Sequence, residues 1–292
     1  MSTVKPKQGR EPSSLIQLIL RADEALSTPV FQLSLPWLLE FLFSIPGNLM
    51  GPPLVQVTLP FWFFWLSSEE TTDYQDLFLA IISFSFLLLL PWIFFLRGNI
   101  WIIQHIIYSN KSFALAPFLG TGVAFYFGSD RRYSQALAYH SLILYNLSCI
   151  ATMFLKHGTE RKRPCVTFGH LIPRKHLAII PKILAKGAAN ASFPSGDVMA
   201  ATAWAIPLWH MGYPTSSILL VVLAACGRMF FLAHHLLDTV VGMTVCLLVH
   251  GLLQWSPEHA ALPTMGTAEW YHPIGALIAL AVASRFRKGD EK

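Results

Sequence analysis

Residues Leu77–Leu96 read LFLAIISFSFLLLLPWIFFL, a run without one charged side chain. At a helical rise of about 1.5 Å per residue, a run of this length extends roughly 30 Å, the thickness of a bilayer's hydrocarbon core. Apolar runs near that length recur on both sides. Ala136–Leu155, Ser216–Ala233 and Thr239–Gln254 are comparably apolar, while Gly51–Leu66, Ser112–Gly128, Val198–Gly212 and Pro273–Phe286 are shorter or more interrupted. A backbone in lipid must satisfy every polar group internally, so the pattern predicts an all-α, polytopic transmembrane helical bundle of about eight spans. The composition agrees: 54% of the 292 residues are hydrophobic, 13% are charged and the mean hydropathy is +0.50. A soluble domain carries about 25% charge, so an ordinary soluble enzyme is excluded.

The chain divides into four parts: an N-terminal tail and interfacial segment (1–50), leading spans (51–111), a motif-bearing membrane core (112–256), and a last span with a basic tail (257–292). In the first part, Lys5, Lys7 and Arg10 precede Leu15, Leu18, Ile19 and Leu20, and no cleavable signal peptide is visible. An interfacial amphipathic helix and a solvated tail both fit this stretch. Val30–Pro46 is apolar but short and holds Pro36 and Glu40, which suits an interfacial or re-entrant segment. The loop Ser67–Asp76 carries four carboxylates and no Lys or Arg, which places it away from the cytoplasm, and both termini are basic and so cytoplasmic. The net charge of +5 does not point to nucleic acid, because a large share of the cations lies in one loop. That loop, Lys156 to Asn190, holds Lys156, Arg161, Lys162, Arg163, Arg174, Lys175, Lys182 and Lys186 against the single acid Glu160. It suits an anionic substrate or a lipid headgroup, although positive loops also arise from membrane topology alone. The four cysteines are too few and too dispersed for a disulfide framework.

Three constellations stand at span boundaries. Lys156-His-Gly-Thr-Glu-Arg-Lys-Arg163-Pro164 follows one span, Phe193-Pro-Ser-Gly-Asp197 opens the next, and Gly227-Arg228-x5-His234-x3-Asp238 joins the following two. Singly each has a bland explanation: snorkelling anchors, a turn, a satisfied polar pair. In this order they describe a phosphate site. Lys156, Arg163 and Arg228, with the Ser195 hydroxyl and the Gly196 amide at a helix N-terminus, can surround a phosphoryl group and stabilise its negative charge. His234 is then the nucleophile, and Asp238, four residues on, can hold its other ring nitrogen.

The series K-x6-R-P, P-S-G-x and x-R-x5-H-x3-D resembles the three-part signature of the type 2 phosphatidic acid phosphatase family. That resemblance implies a six-helix core with the motifs converging at one membrane face. It also implies hydrolysis through a phosphohistidine, with no metal and no cofactor. It makes His234, Asp238 and the residue at 197 catalytic, and Lys156, Arg163, Ser195, Gly196 and Arg228 phosphate-binding. The implied partners are membrane lipids and a phosphorylated lipid substrate, such as phosphatidate, a sphingoid phosphate or a prenyl diphosphate. The implied place is the endoplasmic reticulum or another endomembrane. The run from Leu59 to Trp65, after Gly47-Asn48-Leu49, faintly resembles sphingoid-base phosphate phosphatases.

Two positions depart from the family pattern. Gly227 replaces a serine, and Asp197 replaces the histidine that protonates the leaving oxygen. A carboxylate among phosphate oxygens must take up a proton or repel the substrate. Protonated, Asp197 can still act as a general acid; ionised, it cannot. Diphosphates, whose leaving group is a weak base, suffer least from the loss, which favours prenyl or polyprenyl diphosphates as substrates. Two other functions fit the same residues: a catalytically silent relative that binds lipid or a partner, and a transferase that passes the phosphoryl group to another lipid. His157 and His235 flank the site as substitute acids or polar fillers, and His140, His210 and His250 read as helix-packing residues. Asn110 and Asn190 stand in glycosylation acceptor patterns that arise readily by chance.

Overall fold

The structure, a computed structural model, describes residues 14–49, 144–145, 147–156, 158–159, 161–178, 180–182, 191–210 and 212–255. The expected spans Gly51–Leu66, Leu77–Leu96, Ser112–Gly128 and Pro273–Phe286 lie outside the described residues, as do parts 51–111 and 257–292. So does the beginning of Ala136–Leu155. The described residues are helical and contain no strand. In chain order the helices are α1 (Ser14–Gln32), α2 (Trp37–Leu49), α3 (Leu147–Lys156), α4 (Pro164–Thr167), α5 (Gly196–His210), α6 (Pro214–Phe230) and α7 (Leu236–Trp255), with a 3-10 helix at Gly169–Arg174. One described helix, Leu236–Gln254, is long and apolar enough to cross a membrane by length and composition. The count of about eight spans rests on segments that are mostly outside the described residues.

Boundaries follow local chemistry. Pro36 cannot continue a helix from its N-terminal side and restricts Leu35 to extended backbone, so Val30–Pro46 divides into the end of α1 and the start of α2. Glu40 in α2 is fully buried because its carboxylate accepts the Leu177 N–H at 2.8 Å. Proline at the first position opens α4 and α6, where its missing N–H costs nothing.

Helix α5 is the centre of the described bundle, with Val198 to Leu208 all buried. It packs on α6 and α7, and α6 packs in turn on α2. The small side chains Ala200, Ala201, Ala203 and Ala205 bring the neighbours close, with Trp204 filling the space against Ala224 of α6. A second cluster joins Leu144 and Tyr145 to Met199, Ala203 and Cys246. A third closes Phe31 of α1 and Leu171, Ile172 and Cys165 of the loop over Met229 and Leu232. Lys175 also belongs to this closure: its ammonium lies 3.8 Å over the Phe230 ring and donates to the Leu33 carbonyl. It serves the fold, away from the phosphate motifs, and burial lowers its pKa to about 8.

The tightest approach is between α7 and the turn before α5. The Ser195 N–H donates to the Asp238 carbonyl at 2.8 Å, and one turn on, a Cβ at Gly242 would overlap the Ser195 carbonyl oxygen and lie 3.2 Å from its carbon. Only glycine permits that contact, since both partners are backbone and neither can rotate away. Gly242→Ala is therefore expected to cost roughly 1–3 kcal/mol through overpacking. A lowered unfolding midpoint of the purified variant, followed by circular dichroism in detergent, checks this.

Candidate phosphate site

The three motifs meet at the N-terminal ends of α5 and α7 and the C-terminal end of α6. Lys156 ends α3 and is close enough to Arg163, Asp197 and Arg228 to feel their charges. Arg163 is extended, directly before α4, and buried; its Nη1 donates to the Ala233 carbonyl at 3.3 Å. The next turn docks on the same loop, with the Cys165 N–H donating to the Leu232 carbonyl at 2.8 Å. Leu232 is the one non-glycine residue at positive φ (58°) among the described residues. A left-handed Leu costs roughly 1–2 kcal/mol. Its fully buried side chain and both backbone bonds, to Cys165 and from its own N–H to Met229, sustain the turn that delivers His234.

Ser195 is the N-cap of α5: its hydroxyl accepts the Val198 N–H at 3.4 Å. A Cβ at Gly196 would meet nothing within 4 Å, so open space borders this turn. The side chain of Asp197 reaches Arg228, in the last turn of α6, at 2.9 Å (Nη2 to Oδ2). Arg228 also lies 3.5 Å from Nε2 of His234, and Asp197 Oδ2 lies 3.9 Å from that nitrogen. Thus Arg163, Ser195, Gly196, Asp197, Arg228 and His234 are brought to one place, with Lys156 beside them.

His234 is 1% exposed, and its Nδ1 lies 2.6 Å from the Ser192 carbonyl. A carbonyl oxygen only accepts, so Nδ1 carries the proton and Nε2 presents its lone pair to Arg228. Burial lowers the His234 pKa, the Asp197 and Asp238 carboxylates oppose that, and the Arg163 and Arg228 cations add to it. The neutral ring is the outcome.

Asp238 does not take the direct position at Nδ1. Because α7 begins at Leu236, His234 stands before the helix and the pair does not share a helical face; the carboxylate lies 3.8 Å from Nδ1. Its oxygens instead accept the His235 N–H at 2.8 Å and Arg161 Nη1 at 2.7 Å. The first is a capping contact, reaching back from the first turn of α7. Arg161 in turn pairs at 2.6 Å with Asp23 of α1. Sequence reasoning missed Arg161, Asp23 and Ser192. Arg161 was one cation among eight in its loop, Asp23 was an acid in an apolar stretch, and a carbonyl contributes no side-chain signal.

Asp23, His235 and Asp238 are the described residues whose donors could together hold a metal ion. Their negative charge is already met by the Arg161 guanidinium between the two carboxylates. His210 and His250 pack edge to face, centroids 5.8 Å apart, beside an apolar cavity of about 410 Å³ between α5, α6 and α7. They lie at the opposite end of α5 from Asp197.

Comparison with curated proteins and with solved structures gave no match. Comparison with protein families matches residues 135–260 to the PAP2 superfamily, a stretch that contains all three motifs and every residue of the candidate site. Over this segment the chain is similar to the PAP2 superfamily.

Proposed function

We propose that this protein is an integral membrane phosphohydrolase that releases phosphate from a lipid phosphate or diphosphate through a phosphohistidine on His234. The match of residues 135–260 to the PAP2 superfamily supports the phosphatase class. The observation that carries the mechanism is the Nδ1 contact with the Ser192 carbonyl, which leaves Nε2 unprotonated among cations. The apolar span Leu236–Gln254 and the family support a membrane seat, with a multi-pass chain in an endomembrane such as the endoplasmic reticulum as the full reading.

In the first step Nε2 attacks phosphorus, the N–P bond forms, and the bond to the lipid oxygen breaks. Arg163, Arg228 and Lys156 hold the phosphoryl oxygens as their negative charge is redistributed, and the Asp238 carboxylate, 3.8 Å from Nδ1, steadies the positive imidazole. In the second step water attacks phosphorus, the N–P bond breaks, and inorganic phosphate leaves.

Asp197 fits this cycle through its ion pair. Before substrate binds, its carboxylate occupies Arg228 as a phosphate oxygen would. A bound phosphoryl group takes Arg228 over and leaves Asp197 beside new negative charge, where it takes up a proton. That proton goes to the leaving oxygen, and the water of the second step returns one. A second reading rests on the same ion pair: if no phosphate displaces the carboxylate, the protein is a silent lipid-binding relative.

Three outcomes are expected. His234→Ala abolishes phosphate release from vesicle-borne lipid phosphates and the acid-labile labelling of the chain by radioactive phosphate; turnover in that variant would rule out the covalent route. Asp197→Asn slows monoesters by roughly 10²–10⁴-fold and diphosphates far less, the magnitude of general-acid assistance to a poor leaving group. In the silent reading wild type shows no turnover, and Asp197→His creates it. Finally, the nucleophile is the neutral ring and burial lowers its pKa, so activity rises with pH along a limb centred below 6.5. A pH profile of kcat/KM measures that limb, and one centred above 6.5 would contradict the neutral, buried His234.

A further inference from the structure

Helix α1 is inside out. Its buried stripe is Asp23, Ser27 and Phe31, one turn apart each, with Asp23 5% and Ser27 0% exposed, whereas Leu15, Leu18 and Leu26 are 64%, 64% and 63% exposed. At helical spacing Leu15, Leu18, Ala22 and Leu26 share one face, and Arg21, Glu24 and Thr28 lie on another. A helix in water would turn the leucines inward and the acid outward. An outer leucine face beside a polar face is the pattern of a helix lying in the plane of a membrane interface. The chain ahead of it carries Lys5, Lys7 and Arg10, cations that anionic headgroups attract. Further along the membrane-length helix α7, Leu247, Leu248 and Leu252 are exposed as well.

The buried stripe of α1 works on the phosphate site. The first N–H groups of α7 need acceptors from outside their own helix. Asp23 Oδ1 accepts the Leu237 N–H at 2.7 Å and Ser27 Oγ accepts the Leu236 N–H at 2.9 Å. Asp23 Oδ2 pairs with Arg161, whose other nitrogen holds Asp238. The Phe31 and His235 rings meet edge to face, with centroids 5.6 Å apart. Asp23 therefore touches both the start of α7 and the guanidinium bonded to Asp238.

We propose that α1 lies in the bilayer interface with its leucine face in the acyl boundary, and that Asp23 is a positioning residue through which this seated helix holds Arg161 and Asp238 in the arrangement that His234 requires. The seating of α1 stands on its own; the role of Asp23 in turnover rests on the phosphohydrolase reading.

The full chain, reconstituted in phosphatidylcholine vesicles containing phosphatidylserine, tests both parts. With the native cysteines replaced by alanine, a nitroxide label at Leu18→Cys should respond to oxygen and not to an aqueous nickel chelate present on both faces, and one at Glu24→Cys should do the reverse. Chelate access at both positions, or access of neither reagent at position 18, would overturn the seating; the second result would put protein against that face. For turnover, Asp23→Asn should lower kcat about tenfold or more with KM changed by less than about twofold, and Asp23→Glu should restore most of it. Combined with Arg161→Gln, the loss should match the worse single variant and not the product of the two, because both act through one contact. Wild-type kcat in Asp23→Asn, or losses that multiply, would overturn the positioning role in a chain whose circular dichroism is unchanged. No phosphate release by wild type would sink the phosphohydrolase reading and the role of Asp23 with it, while the two labels still decide where α1 lies.

Discussion

Asp238 is the point on which the described structure turns. Its backbone carbonyl receives Ser195 at the start of α5, and its carboxylate receives the His235 N–H and Arg161. The same carboxylate lies 3.8 Å from the His234 ring. One residue thus holds the second motif against the third and the cationic loop against both. It is fully buried, so its charge is tolerable only because every one of these partners is in place. Breaking a buried ion pair by removing one side typically costs about 3–5 kcal/mol, far more than any exposed pair contributes. The network is correspondingly all or nothing.

The site itself is a problem of unbalanced charge. Arg163 and Arg228 are both buried, and Lys156 is close to each. Cations gathered this closely repel one another. Asp197 relieves this in the free protein by pairing with Arg228, and burial together with the same cations keeps His234 neutral. The substitution that departs from the family pattern therefore has a physical role in the resting state, whatever it does in turnover.

Packing sets the tolerances. Alanines on α5 and the bare face of Gly242 on α7 let backbones approach until Ser195 and Asp238 bond directly. The left-handed Leu232 converts the end of α6 into a turn that points His234 back at Arg228. A side chain larger than hydrogen at position 242 would act on the phosphate site without touching it, by moving the turn that carries Ser195 and Asp197.

The sequence by itself determined the helical class, the apolar character and the three motifs, because hydrophobic run length and the type and order of polar residues survive in one dimension. It also pointed to Lys156, Arg163, Ser195, Arg228 and His234, whose side chains have few other reasons to stand at span boundaries. Tertiary structure alone decided who partners whom. Asp238 was four residues from His234 in both descriptions, but the start of α7 at Leu236 took it out of direct reach and gave that nitrogen to a backbone carbonyl. Arg161 lies far from Asp238 in the chain and reaches it from the loop, and Asp23 joins that pair through Arg161 because α1 packs on α7. Composition and spacing report what a segment can bury; which buried charge finds which counter-charge depends on distances that only the folded chain possesses.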